Sequence, residues 1–129
     1  LGFAFDSEEE NDYLPHTYTK NCVVYTGTHD NDTLIGWFTK AKDKDKQFAR
    51  DYLNSQTDDN IHWDAIRGAW SSVANMAIAP IQDFLGLGSE ARINTPGVAS
   101  GNWQWRLKDG VLTDELAEKI AKLTKVYSR

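Results

Sequence analysis

Residues 22–33 read Cys22-Val23-Val24-Tyr25-Thr26-Gly27-Thr28-His29-Asp30-Asn31-Asp32-Thr33. The first five are β-branched, aromatic or small and apolar, and they run on without alternation. A strand buried on both faces reads that way, as in parallel sheets. Gly27 breaks the run, and a polar turn follows at once. Either Asp32 or Thr33 can cap a helix opening at Leu34-Ile35-Gly36-Trp37-Phe38. The stretch therefore predicts a strand, a short polar turn and a helix, the unit from which parallel α/β sheets are built.

The same reading extends in both directions. Residues 1–5, Leu-Gly-Phe-Ala-Phe, predict a second buried strand. Asp6 to His16 reads as a loop from its Asn, Asp and Pro content, with Glu8-Glu9-Glu10 as a solvated face. Beyond the central unit, about Lys44 to Asn54 predicts a helix with Phe48, Tyr52 and Leu53 on one side. Ile61 to Met76 predicts a longer one, whose stripe is Ile61, Ala65, Ile66, Ala69, Trp70 and Val73. Met76-Ala77-Ile78-Ala79 predicts a third strand, ended by Pro80. Ile81 to Leu87 predicts one or two helical turns closed by Gly86 and Gly88. Arg92 to Arg106 reads as irregular. Thr113 to Tyr127 predicts an amphipathic helix with Leu116, Ile120, Leu123 and Val126 as its stripe. No composition shift divides residues 1–129. Three strands are too few to close a barrel, and the chain opens on Leu1 rather than Met. Both points lead us to expect a piece of a longer protein.

Composition narrows the partners. The 129 residues carry a formal charge of −5. That is the wrong sign for a broad nucleic-acid footprint or for polybasic docking on anionic membrane. No apolar run approaches the length of a membrane helix, and no secretory leader is visible. The single cysteine, Cys22, excludes an internal disulfide framework and a cysteine-cluster zinc site. It reads as a buried, inert thiol. No metal and no cofactor is implied. The Asp30-Asn31-Asp32 run fails as a calcium loop, because Leu34 and Ile35 stand where an oxygen ligand and a glycine are needed. Gly86-Leu87-Gly88-Ser89-Glu90-Ala91 fits a loose dinucleotide fingerprint, but no helix is expected to follow it. His16 and His62, beside Pro and Trp, read as satisfied structural histidines.

One cluster carries chemistry. A hydrophobic strand delivers His29 and Asp30 together at its carboxyl end, where ligands bind in parallel α/β folds. A carboxylate beside an imidazole can grip adjacent sugar hydroxyls or stabilise positive charge developing nearby. The same residues also suit plain turn and capping roles.

The run Tyr25-Thr26-Gly27-Thr28-His29-Asp30-Asn31-Asp32-Thr33, followed by Gly36-Trp37, closely resembles a signature of the 4-α-glucanotransferases, the amylomaltase or disproportionating-enzyme family. Other segments agree in order. Phe3-Ala4-Phe5-Asp6 with Tyr13-Leu14-Pro15-His16 resembles the stretch before that signature. Ile81-Gln82-Asp83, Ala91-Arg92-Ile93-Asn94-Thr95-Pro96-Gly97 and Gly101-Asn102-Trp103-Gln104-Trp105-Arg106 resemble the family's C-terminal part. The resemblance implies the C-terminal portion of a (β/α)8 barrel, about three strands plus helices, within a catalytic domain. It implies retaining transfer of α-1,4-glucan segments between maltooligosaccharides, with two carboxylates roughly 5 Å apart as nucleophile and acid/base. By motif position, Asp30 matches a third carboxylate, which stabilises the transition state, and His29 matches a histidine that hydrogen-bonds the same sugar ring. In the family the nucleophile and acid/base lie upstream of the segment that residues 1–5 resemble, so the chain is expected to be inactive alone.

Asn94 is a candidate sugar ligand or, equally, a loop-structuring residue. Trp103 and Trp105 can stack on sugars, but packing is the preferred reading. Trp37, Trp63 and Trp70 read as core or inter-helix contacts. The expected partners are α-1,4-glucans and the rest of the parent barrel, and the expected compartment is the cytoplasm. Open strand edges and an uncovered face lead us to expect self-association of the isolated chain. The competing reading is a stand-alone carbohydrate-binding module or assembly piece without catalysis; the helical second half counts against an all-β module.

Overall fold

The computed structural model describes residues 1–6 and 11–129. The run Glu8-Glu9-Glu10 lies outside the described residues. Val23–Tyr25 form strand β1 and Met76–Ile78 form strand β2. They pair in parallel, with Val23 opposite Met76, Val24 opposite Ala77 and Tyr25 opposite Ile78. A Thr26 amide bond to the Ile78 carbonyl, at 3.1 Å, continues the ladder beyond the strand. Parallel neighbours need a long crossover. Here it is helical: α1 (Leu34–Lys40), α2 (Asp43–Leu53) and α3 (Ile61–Trp70). After β2 come the single turn α4 (Ile81–Phe84), an irregular stretch, and α5 (Asp114–Val126).

The helix boundaries follow from local chemistry. Thr33, not Asp32, caps α1: its Oγ1 accepts from the Gly36 amide at 3.0 Å. Thr113 caps α5 in the same way, accepting from the Leu116 amide at 3.2 Å. The helix expected to run to Met76 stops at Trp70. Ser71 and Ser72 turn their hydroxyls back onto the carbonyls of Gly68 and Ala69, which competes with continuing the helix. The Arg129 guanidinium then takes the freed carbonyls of Trp70, Ser72 and Ala74. Val73 is therefore exposed rather than part of the helical stripe.

Three expectations are corrected. Residues 1–5 are not a strand: Gly2–Phe5 form a 3-10 helix. Leu1, Ala4 and Phe5 are all buried, and that spacing is helical; a strand would send Ala4 and Phe5 to opposite faces. Phe5 sits in an aromatic nest, with ring centroids 5.7 Å from Trp37, 5.9 Å from Phe48 and 5.8 Å from Tyr52. Two strands, not three, are thus present among the described residues. Second, among the described residues β1 is covered on one face only. Val24 is 2% exposed and packs on the helical layer, whereas Val23 is 46% exposed. Tyr25, Met76 and Ile78 share the open face with Val23. Third, the stripe of α5 is shallow: Leu123 is buried, but Val126 is exposed. A bond from Trp70 Nε1 to Thr124 Oγ1, at 3.1 Å, helps to seat that helix.

Trp37, Trp63 and Trp70 all pack in or against the core, as their helical positions suggest. Cys22 is unpaired and half-buried against the same core. His16 is satisfied, its Nδ1 lying 3.0 Å from the Tyr52 hydroxyl. His62 is not: its buried Nδ1 finds no partner among the described residues. No helix among the described residues is long and apolar enough to cross a membrane.

Candidate functional site

The carboxyl end of β1 opens into residues 27–33. The turn is held from within by Asn31, whose Oδ1 accepts from the Thr28 amide at 2.8 Å and from the Thr28 hydroxyl at 3.1 Å. Self-bonding of this kind is why Asn and Asp populate turns. It leaves His29 and Asp30 at the tip, with side chains 58% and 49% exposed. His29 Nε2 lies 3.4 Å from Asp30 Oδ1.

The second half of the site comes from residues 92–103. Asn94 Nδ2 donates to Asp30 Oδ1 at 2.7 Å. Arg92 braces both loops. Its Nη2 donates to the Asp30 carbonyl and its Nε to the Asn94 carbonyl, each at 2.8 Å. A planar guanidinium with donors in fixed directions suits such a double contact. The indole of Trp103 lies against the His29 ring, with centroids 5.4 Å apart and a tilt of 31°. The three candidate residues, His29, Asp30 and Asn94, are therefore brought to one place. Of the two tryptophans, Trp103 is largely exposed among the described residues, whereas Trp105 is half-buried.

Beneath this rim lie two carboxylates of a different kind. Asp32 accepts from the Ser89 hydroxyl at 2.7 Å, from Lys40 Nζ at 2.9 Å and from the Thr33 amide at 2.8 Å. Burial works to raise its pKa, but the bonds from Ser89, Lys40 and Thr33 together outweigh that and hold it below the ordinary value. Gly36 is required here, because a Cβ at that position would run into the Asp32 carboxylate and the Ser89 hydroxyl. Asp83, from α4, is buried. Its two oxygens accept from the Thr26 hydroxyl at 2.7 Å and from the Leu34 amide at 2.9 Å. It thereby ties the end of β1 to the start of α1. Burial pushes the Asp83 carboxyl up; the bonds from the Leu34 amide and the Thr26 hydroxyl oppose this without cancelling it. An open cavity of about 480 Å³ runs from the bare sheet face at Tyr25 and Ile78 up to His29, Arg92 and Ile93.

Residues 1–113 match the family described as 4-alpha-glucanotransferase. The chain belongs to that family. Among 4-alpha-glucanotransferases, the one from Clostridium butyricum is 54% identical over 130 residues, all of this chain and 27% of the relative. The chloroplastic/amyloplastic 4-alpha-glucanotransferase of Arabidopsis thaliana is 44% identical over 132 residues, all of this chain and 23% of the relative. A solved amylomaltase from Streptococcus agalactiae, in complex with acarbose, superposes with a TM-score of 0.94 at 32% identity. It covers 99% of this chain, which covers 26% of that one. The chain thus spans about a quarter of the length of the 4-alpha-glucanotransferases it matches.

Sequence reading missed Arg92, Ser89 and Lys40 as members of this assembly. Arg92 left a trace, since it lies two residues before Asn94 in a loop otherwise short of charge. Ser89 and Lys40 left none, because their partner Asp32 is 57 and 8 residues away.

Proposed function

We propose that the chain is the part of a 4-α-glucanotransferase catalytic domain that carries the transition-state-stabilising carboxylate, Asp30. The observation that carries this is the pairing of Asp30 with His29 and Asn94, exposed at the carboxyl end of a parallel strand, in a chain of this family. Residues 1–129 contribute two neighbouring strands of a (β/α)8 barrel. The face bearing Val23, Tyr25, Met76 and Ile78 looks into that barrel.

In retaining transfer between α-1,4-glucans, positive charge builds on the ring oxygen and anomeric carbon as the glycosidic bond breaks. An ionised carboxylate already fixed at that point stabilises the charge without reorganising. Asp30 suits the role. Among the described residues, Asn94 and His29 both address Oδ1, which leaves Oδ2 to meet a sugar hydroxyl. His29 and Asn94 then bind the same ring. The nucleophile and the acid/base lie outside residues 1–129, so this chain alone does not turn over.

Two experiments test the reading. In the full-length protein containing this chain, Asp30→Asn should abolish most disproportionation of maltotriose while the protein still folds. The purified 129-residue chain should show none; detectable transfer by that chain would overturn the division of labour. With its apolar sheet face bare, the isolated chain should also self-associate in light scattering. We place the enzyme in the cytoplasm, whose reducing conditions suit an unpaired cysteine; cell fractionation checks this.

A further inference from the structure

We propose that Trp103 is a sugar-stacking platform at the rim of the Asp30 site. The inference rests on the transferase reading and adds to it a residue that binds substrate.

The first observation is conformational. Trp103 has φ +61°. A bulky side chain in the left-handed region is rare and strained, and such positions persist where the surroundings impose them. The surroundings do so here. The Trp103 amide donates to the Ile93 carbonyl at 2.8 Å. The adjacent Asn102 clasps its own loop, accepting from the Thr95 amide at 2.9 Å and donating to the Val98 carbonyl at 2.8 Å. Glycine would occupy the position without steric strain, so the indole is present at a steric disadvantage.

The second observation is that packing within residues 1–129 does not repay that cost. Trp103 is 63% exposed. Its indole packs on the ring of His29, itself exposed. Among the described residues Trp70 buries its indole in the core and Trp103 does not.

The third observation is position. Ile93, which anchors the Trp103 backbone, lines the 480 Å³ cavity together with His29. The indole therefore stands beside the opening, next to the groups that meet the sugar's hydroxyls. A pyranose presents polar edges and a C–H face. Asp30, His29 and Asn94 supply partners for the edges, and Trp103 supplies a flat apolar surface for the face. The ligand class is a glucosyl unit of a maltooligosaccharide that extends past the Asp30 site.

The test compares Trp103→Gly and Trp103→Phe in the full-length protein, by steady-state disproportionation of maltotriose and by calorimetric titration with maltoheptaose. Glycine removes the ring but favours the left-handed backbone, so the melting temperature should hold or rise. We expect KM and the dissociation constant to rise about tenfold, with a much smaller fall in kcat, and Phe to recover most of the binding. A fall in kcat with KM unchanged would make Trp103 a support for the His29 ring and overturn the platform. Unchanged binding in Trp103→Gly would overturn it as well. If the unmodified protein binds maltoheptaose but transfers nothing, the transferase reading fails, and the titrations still decide Trp103. If it binds no glucan, both fail.

Discussion

Asp30 and Asp32 stand two residues apart in one turn, yet they live in different worlds. The Asp32 side chain is 12% exposed and its lone pairs are taken up by Ser89, Lys40 and the Thr33 amide. The Asp30 side chain is 49% exposed and is held through one oxygen. The first carboxylate is saturated by its own chain, and the second is positioned by its chain but left with bonding capacity. That separates a carboxylate that builds the turn from one left free to act, the role proposed for Asp30. Asp83 belongs with Asp32: it is buried, doubly bonded, and joins strand to helix under the turn.

The comparison is broken most sharply by exchanging the two roles. In the full-length protein, Asp30→Asn should cost about 10³-fold in transfer rate, by analogy with the loss of one group that stabilises developing charge. Its melting temperature should barely move. Asp32→Asn should do the reverse, and maltotriose assays beside thermal melts distinguish the two. If both variants lose activity equally with stability intact, the distinction collapses.

A second measurement probes the floor. Asp83→Ala leaves the Leu34 amide and the Thr26 hydroxyl buried without their partner. The loss should be roughly 2–4 kcal/mol by denaturant unfolding. Gly36→Ala should cost less, about 1–3 kcal/mol, because the new Cβ forces Asp32 and Ser89 apart rather than removing them.

The smallest effect, and the most diagnostic, is pH dependence. Asp32 has a lowered folded pKa. It contributes stability that is present above the ordinary carboxylate value of 3.8 and lost as pH falls through its folded value. The deficit of Asp32→Asn should therefore close in acid. Asp83 has a raised folded pKa. Its contribution is complete below 3.8 and is lost as pH rises through its folded value. Asp83→Asn should therefore gain on the unmodified protein as pH rises. Melts of both variants across pH 3 to 7 check the opposite slopes.

Much of this was visible in the one-dimensional pattern. The parallel pair appeared as two short apolar runs, at 22–26 and 76–79, each followed by a polar or proline stop. The candidate site appeared as a carboxylate and an imidazole set directly after a strand. What misled was residues 1–5, where a continuous apolar run fits a strand and a buried helical turn equally well. The burial of both Ala4 and Phe5, with Phe5 held in its aromatic nest, decides between them. The stripe through Val73 misled for a related reason: periodicity does not register two serines that bond back to the helix and end it.

By itself the sequence determined the local units: the strand at Val23–Tyr25, the polar turn that presents His29 and Asp30, and the capped helix that follows. These depend on side-chain branching, on a glycine break and on short polar caps, all of which act over a few residues. Tertiary structure alone decided which of three neighbouring acids stayed open. Lys40, Ser89, Asn94 and Trp103 converge on this turn from elsewhere in the chain. A carboxylate's solvation and hydrogen-bond saturation are properties of its surroundings, and the order of residues does not carry them.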